Sequence, residues 1–145
     1  MNNKEQIQQL IYDYATFADS RETQAQFELF DTNGGMSVYY PWNNGVAEEI
    51  TTSEQLLDTF LALKQYETTF HFIGQVSIDL EDEQATTATA YVYTIAHHVI
   101  VAEDGSKSLM IAYLRYKDTL IKTNNTWKFK HRALYADVIE NRVLK

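Results

Sequence analysis

From Thr69 onward the chain carries four long runs rich in Val, Ile, Thr, Tyr and Phe: Phe70 to Leu80, Ala88 to Val101, Leu109 to Lys122 and Thr126 to Ile139. These residue types fit the pleated, half-buried surface of a strand. The breaks between the runs are short and polar: Glu81 to Gln84, Glu103-Asp104-Gly105-Ser106 and Asn124-Asn125. Connections this short join neighbouring strands antiparallel. The second half of the chain is therefore predicted to be a four-stranded meander.

The first half follows a different period. Ile7, Leu10, Ile11, Tyr14, Phe17 and Ala18 recur at three and four residues, and Asn3 and Gln6 have the spacing of a capping box, so a helix is expected from Asn3 to Ala18. Phe27 and Phe30 suggest a second helix that stops before Asn33-Gly34-Gly35. Met36 to Trp42 and Val46 to Ile50 flank Asn43-Asn44-Gly45, the pattern of a hairpin, with Pro41 at a strand end. Thr51-Thr52-Ser53-Glu54 offers N-caps for a third helix carrying Leu56, Leu57, Phe60, Leu61 and Leu63. The order helix, helix, hairpin, helix and four strands is that of an α+β domain with helices stacked on one face of a curved, mostly antiparallel sheet.

One such domain uses the whole chain, 1–145, because 45% apolar residues fill one sizeable core and not two. Twelve basic against twenty acidic residues, net −8, repel phosphate backbones and anionic headgroups, so neither nucleic acid nor a membrane surface is an expected partner. With no cysteine, thiolate metal sites and thiol nucleophiles are excluded. The opening residues lack the apolar stretch of a secretory signal and no run is long enough to span a bilayer, which makes a cytoplasmic location the expectation.

Several strings resemble, in order and over nearly the whole chain, the SnoaL-like branch of the nuclear transport factor 2-like superfamily. They are Ile7 to Ala15 with Ala18-Asp19-Ser20-Arg21 and Phe27 to Phe30; His71-Phe72-Ile73-Gly74-Gln75; Ala88 to Tyr91; Tyr116 to Leu120; and Trp127-Lys128-Phe129 with Arg132. Asn124-Asn125-Thr126, where a glycine is usual, and Gln75, where asparagine is common, depart from the pattern. The resemblance implies a cone-shaped barrel with three N-terminal helices. It also implies a pocket for a small apolar or aromatic molecule and assembly as a dimer or trimer; because the chain has no P-loop, dinucleotide glycine fingerprint or His-Glu-x-x-His, chemistry without a cofactor is the expectation.

The scytalone dehydratases and dehydrochlorinases of that family use an Asp–His pair inside the cone, and Asp19 and His71 fall on those positions. In such a pair the carboxylate accepts one ring N–H, fixes the tautomer and stabilises the imidazolium formed when the other nitrogen takes a proton. On spacing alone, a helix-ending Asp19 and a hydrogen-bonded core His71 is the simpler reading. The same resemblance brings in Tyr39 or Tyr40 from the hairpin, His97 or His98 from the second long strand, and Tyr14 from the first helix as substrate-binding residues. Strand alternation admits only one of each adjacent pair to the cavity. His97 shares parity with Tyr91 and Tyr93, and His98 with the smaller Ala88, Ala90 and Val92, which favours His98. Adjacent histidines point to opposite faces, so no metal site is expected there. Lys128, Lys130 and Arg132 alternate with Trp127, Phe129 and His131 and read as a solvated basic face. Dehydratase, isomerase or cyclase chemistry follows from the resemblance. So does the alternative of a non-catalytic module like the β subunits of ring-hydroxylating dioxygenases.

Overall fold

A computed structural model describes all residues, Met1–Lys145. It begins with α1 (Asn3–Ser20) and α2 (Thr23–Phe27), continues through β1 (Phe30–Tyr39), β2 (Glu48–Ile50) and α3 (Ser53–Leu61), and passes a 3-10 turn (Ala62–Gln65). Four long strands complete the chain: β3 (Thr68–Asp79), β4 (Thr87–Val101), β5 (Lys107–Thr123) and β6 (Thr126–Leu144). The third helix follows the first hairpin instead of its two predecessors directly. No helix is long and apolar enough to cross a membrane.

The capping box of α1 lies one residue earlier than the spacing suggests, between Asn2 and Glu5. Asn3 is buried instead. Its side chain donates to the Glu83 carbonyl at 2.9 Å and accepts from Lys122 Nζ and Trp127 Nε1, each at 3.0 Å, tying the start of α1 to the sheet. Thr52 and Gln55 form a second capping box at α3, which lays Leu56 and Phe60 on the core.

The six strands run in the order β2-β1-β6-β5-β4-β3. Only β1 with β6 is parallel; every other pair is antiparallel. The sheet is open, ending at β2 and β3, and does not close into the expected barrel. Asn124 and Asn125 both adopt positive φ, 50° and 64°, which lets them close the β5–β6 hairpin in place of glycine.

Two expectations are corrected in this frame. Gly34-Gly35 does not stop a second helix. That helix ends at Phe27, and the glycines lie within β1, where a Cβ on Gly35 would sit 2.5 Å from the Ile50 carbonyl oxygen. Glycine is needed there for strand approach. Nor is Arg132 solvated. A bulge at Lys130, between the pairs Leu120↔Phe129 and Thr119↔His131, inserts one residue and reverses the parity of β6. Arg132 therefore points inward, with 1% of its surface exposed, and pairs with the equally buried Asp118 at 2.7 Å and 3.0 Å.

Candidate active site

Between the helices and the inner face of the sheet lies a cavity of about 440 Å³, and 18 of the 24 residues lining it are hydrophobic. Polar groups on its wall are therefore few.

Asp19 stands in the last turn of α1, which ends at Arg21 in a left-handed conformation, φ 60°. A non-glycine residue at such a helix end needs support. The guanidinium supplies it by donating to the Ala18 carbonyl at 2.8 Å, to Thr69 Oγ1 at 2.7 Å and to the Tyr66 carbonyl at 3.3 Å. Thr69 and His71 share one face of β3, an edge strand whose outward N–H groups lack a strand partner. Asp19 serves that edge: Oδ2 accepts the His71 backbone N–H at 2.9 Å, and Oδ1 accepts both Thr69 Oγ1 at 2.9 Å and His71 Nδ1 at 2.7 Å.

Burial works against the Asp19 carboxylate. Hydrogen bonds from the His71 ring and backbone, with the help of Thr69, outweigh it and hold the pKa below the usual range. An ionised carboxylate only accepts, so in the 2.7 Å contact it is His71 Nδ1 that donates. The His71 side chain is 8% exposed and lines the cavity. A carboxylate and an imidazole thus meet at the wall of the cavity.

His98 also lines the cavity, with its ring 5.6 Å from that of His71 and 4.6 Å from that of Tyr66. Burial, and then the proximity of His71, lower its pKa to about 4, so it is neutral at neutral pH. Tyr14 and Tyr40 line the same hollow; Tyr40 stacks at 5.0 Å on Trp42, which is largely exposed at the rim.

Tyr39 and His97 do not line the cavity. Alternation turns Tyr39 away from it to stack on Tyr135 at 4.5 Å, and it turns His97 to the face opposite His98. Other residues lie outside the sequence reading: Thr69, whose parity with His71 is a usable signal, and Arg21, Tyr66, Tyr116 and Gln26, for which spacing offers none. No group of three or more His, Cys, Asp or Glu side chains is placed to hold a metal ion.

Comparison with solved structures finds the same fold over nearly the full chain. A candidate scytalone dehydratase from Novosphingobium aromaticivorans DSM 12444 is 23% identical with a TM-score of 0.79, over 98% of this chain and 89% of that one. A type 2 hexachlorocyclohexane dehydrochlorinase, LinA, is 14% identical with a TM-score of 0.74, over 98% and 88%. The β subunit of a candidate aromatic-ring-hydroxylating dioxygenase, also from N. aromaticivorans DSM 12444, is 18% identical with a TM-score of 0.72, over 94% and 90%. These relatives share the nuclear transport factor 2-like architecture, and at such identities the likeness speaks for the fold. No curated protein matches by sequence. The family model of the SnoaL-like domain matches residues 1–133, and the chain belongs to that family.

Proposed function

We propose that the protein is a cofactor-independent lyase or isomerase acting on a small, mostly apolar molecule. The observation that carries this reading is the 2.7 Å contact between Asp19 and His71 Nδ1 at the wall of an apolar cavity. His71 Nε2 takes a proton from a carbon next to a carbonyl or similar activating group. The C–H electrons form a C=C bond while a leaving group departs with its own pair, and the imidazolium returns the proton to a departing hydroxide, giving water. In an isomerisation the proton returns instead to another carbon. Asp19 balances the imidazolium, and a hydroxyl donor such as Tyr40 polarises the carbonyl. The dehydratase and dehydrochlorinase neighbours support the reaction class.

The test needs no known leaving group. Aromatic and alicyclic β-hydroxy ketones are incubated in D2O and followed by mass spectrometry for deuterium uptake and loss of water. The wild type exchanges or eliminates; His71→Ala and Asp19→Asn each lose about a hundredfold or more while keeping their circular dichroism. Full activity in both variants rejects the dyad.

A second reading, an assembly or ligand-binding module, has its own observation. Phe72, Ile95, Tyr113 and Val138 pair in register across β3, β4, β5 and β6 and are all exposed on the outer face. An apolar row of this kind marks an interface, consistent with a homodimer or trimer and with the dioxygenase-subunit neighbour. Sedimentation at micromolar concentration checks it: a monomer throughout counts against assembly.

A further inference from the structure

Gln26 sits in α2, between α1 and α3, with 1% of its surface exposed. Its backbone is satisfied: the N–H donates to the Glu22 carbonyl at 3.0 Å, and the carbonyl accepts from Leu29 N at 3.2 Å. Its side chain makes no hydrogen bond within the protein. Yet among polar side-chain atoms without a partner only Thr94 Oγ1 and His98 Nδ1 are completely enclosed. The Gln26 amide is therefore not walled in; it lines the same cavity as His71.

Burying a carboxamide without a partner is costly, and an apolar side chain of like volume is normally preferred at such a place. A side chain that forgoes this gain inside a ligand cavity is accounted for by a partner that arrives with the ligand. We infer that Gln26 is a specificity-determining residue, the helical-side anchor for a neutral ligand whose apolar body carries a hydroxyl, carbonyl or carboxamide. A carboxamide offers one acceptor and two donors side by side, which suits groups of this kind. A carboxylate is excluded by the apolar walls and by the ionised Asp19 close to the imidazole. The inference rests on the cavity being a ligand site, and it does not depend on His71 abstracting a proton.

Two probes that differ by a single hydroxyl, 2-naphthol and naphthalene, test it by NMR titration of the 15N-labelled protein. The wild type is expected to prefer 2-naphthol, with movement of the Gln26 side-chain NH2 resonances for that probe only. Gln26→Met should reduce the preference by roughly tenfold and melt at a higher temperature than the wild type, because it removes an unpaired buried amide. His71→Ala should keep the preference, so a failed dyad and a failed anchor give different results. The inference is overturned if neither probe binds the wild type, or if the preference survives in Gln26→Met. It is equally overturned if Gln26→Met melts lower or fails to fold, since the amide is then structural.

Discussion

His98 gives the fold an acid sensitivity that can be separated from that of its carboxylates. Burial, followed by repulsion from His71, takes its pKa from 6.5 to about 4. Between those values the unfolded chain binds a proton that the folded one refuses, so the unfolded state gains as pH falls. The sign is that of a depressed folded pKa: stability is complete above 6.5 and declines toward about 4. At about 1.4 kcal/mol per pH unit, the loss from this ring is about 2 kcal/mol by about pH 5 and about 3 kcal/mol by about pH 4. Asp19 does not contribute in that window. Its folded pKa lies below 3.8, so its stabilisation is lost only at lower pH. Urea unfolding followed by tryptophan fluorescence, at three pH values across the window, compares the wild type with His98→Gln. The other histidines are common to both proteins, and the difference isolates His98. The stability of the variant should fall by about 2 kcal/mol less between about pH 7 and about pH 5. Parallel losses in the two proteins would refute the argument, because they would mean that the ring is protonated in the folded state.

Two further perturbations address neighbouring groups. Asp118→Asn leaves the Arg132 guanidinium buried without a counter-charge and should cost about 3 to 5 kcal/mol by urea denaturation; a loss under about 1 kcal/mol would mean that the surrounding rings alone hold the cation. Arg21→Gly keeps the left-handed helix end at no steric cost but removes the donor to Thr69. It should lower kcat roughly tenfold to a hundredfold with KM little changed, while an unchanged kcat would show that Thr69 and Asp19 hold His71 without it.

The strands of the second half are legible because their residue types and polar breaks agree, and β3 to β6 lie where those signals put them, with ends that run somewhat further. The first half is legible only where caps and periodicity coincide, as at α1 and α3. Between them Gly34-Gly35 misleads. Glycine is a common helix stop, but it is also the residue that tolerates another backbone at close range, and here β1 runs back past the hairpin pair Met36↔Ile50 through Gly35 to pair with β6, an extension that the hairpin signal does not contain. The open sheet is likewise invisible from one strand at a time, since closure depends on whether β2 and β3 meet.

At the site, alternation separates Tyr39 from Tyr40 and His97 from His98 once the inward face is known, because no bulge intervenes near either pair. Arg132 is different. One extra residue at Lys130 flips the strand, and a side chain that reads as solvated becomes the largest fully buried one in the protein. The consequence reaches the cavity: the guanidinium lies 4.3 Å from the ring centroid of Tyr14 and 3.8 Å from that of Tyr116, both of which line the hollow. Burial raises the pKa of both phenols against the pull of Arg132, so both keep their protons at neutral pH. The Asp118 carboxylate balances that guanidinium, so a closed ion pair lies behind two protonated phenols and no charge is exposed to the cavity from this side. This is a property set by the register of β6, not by any motif.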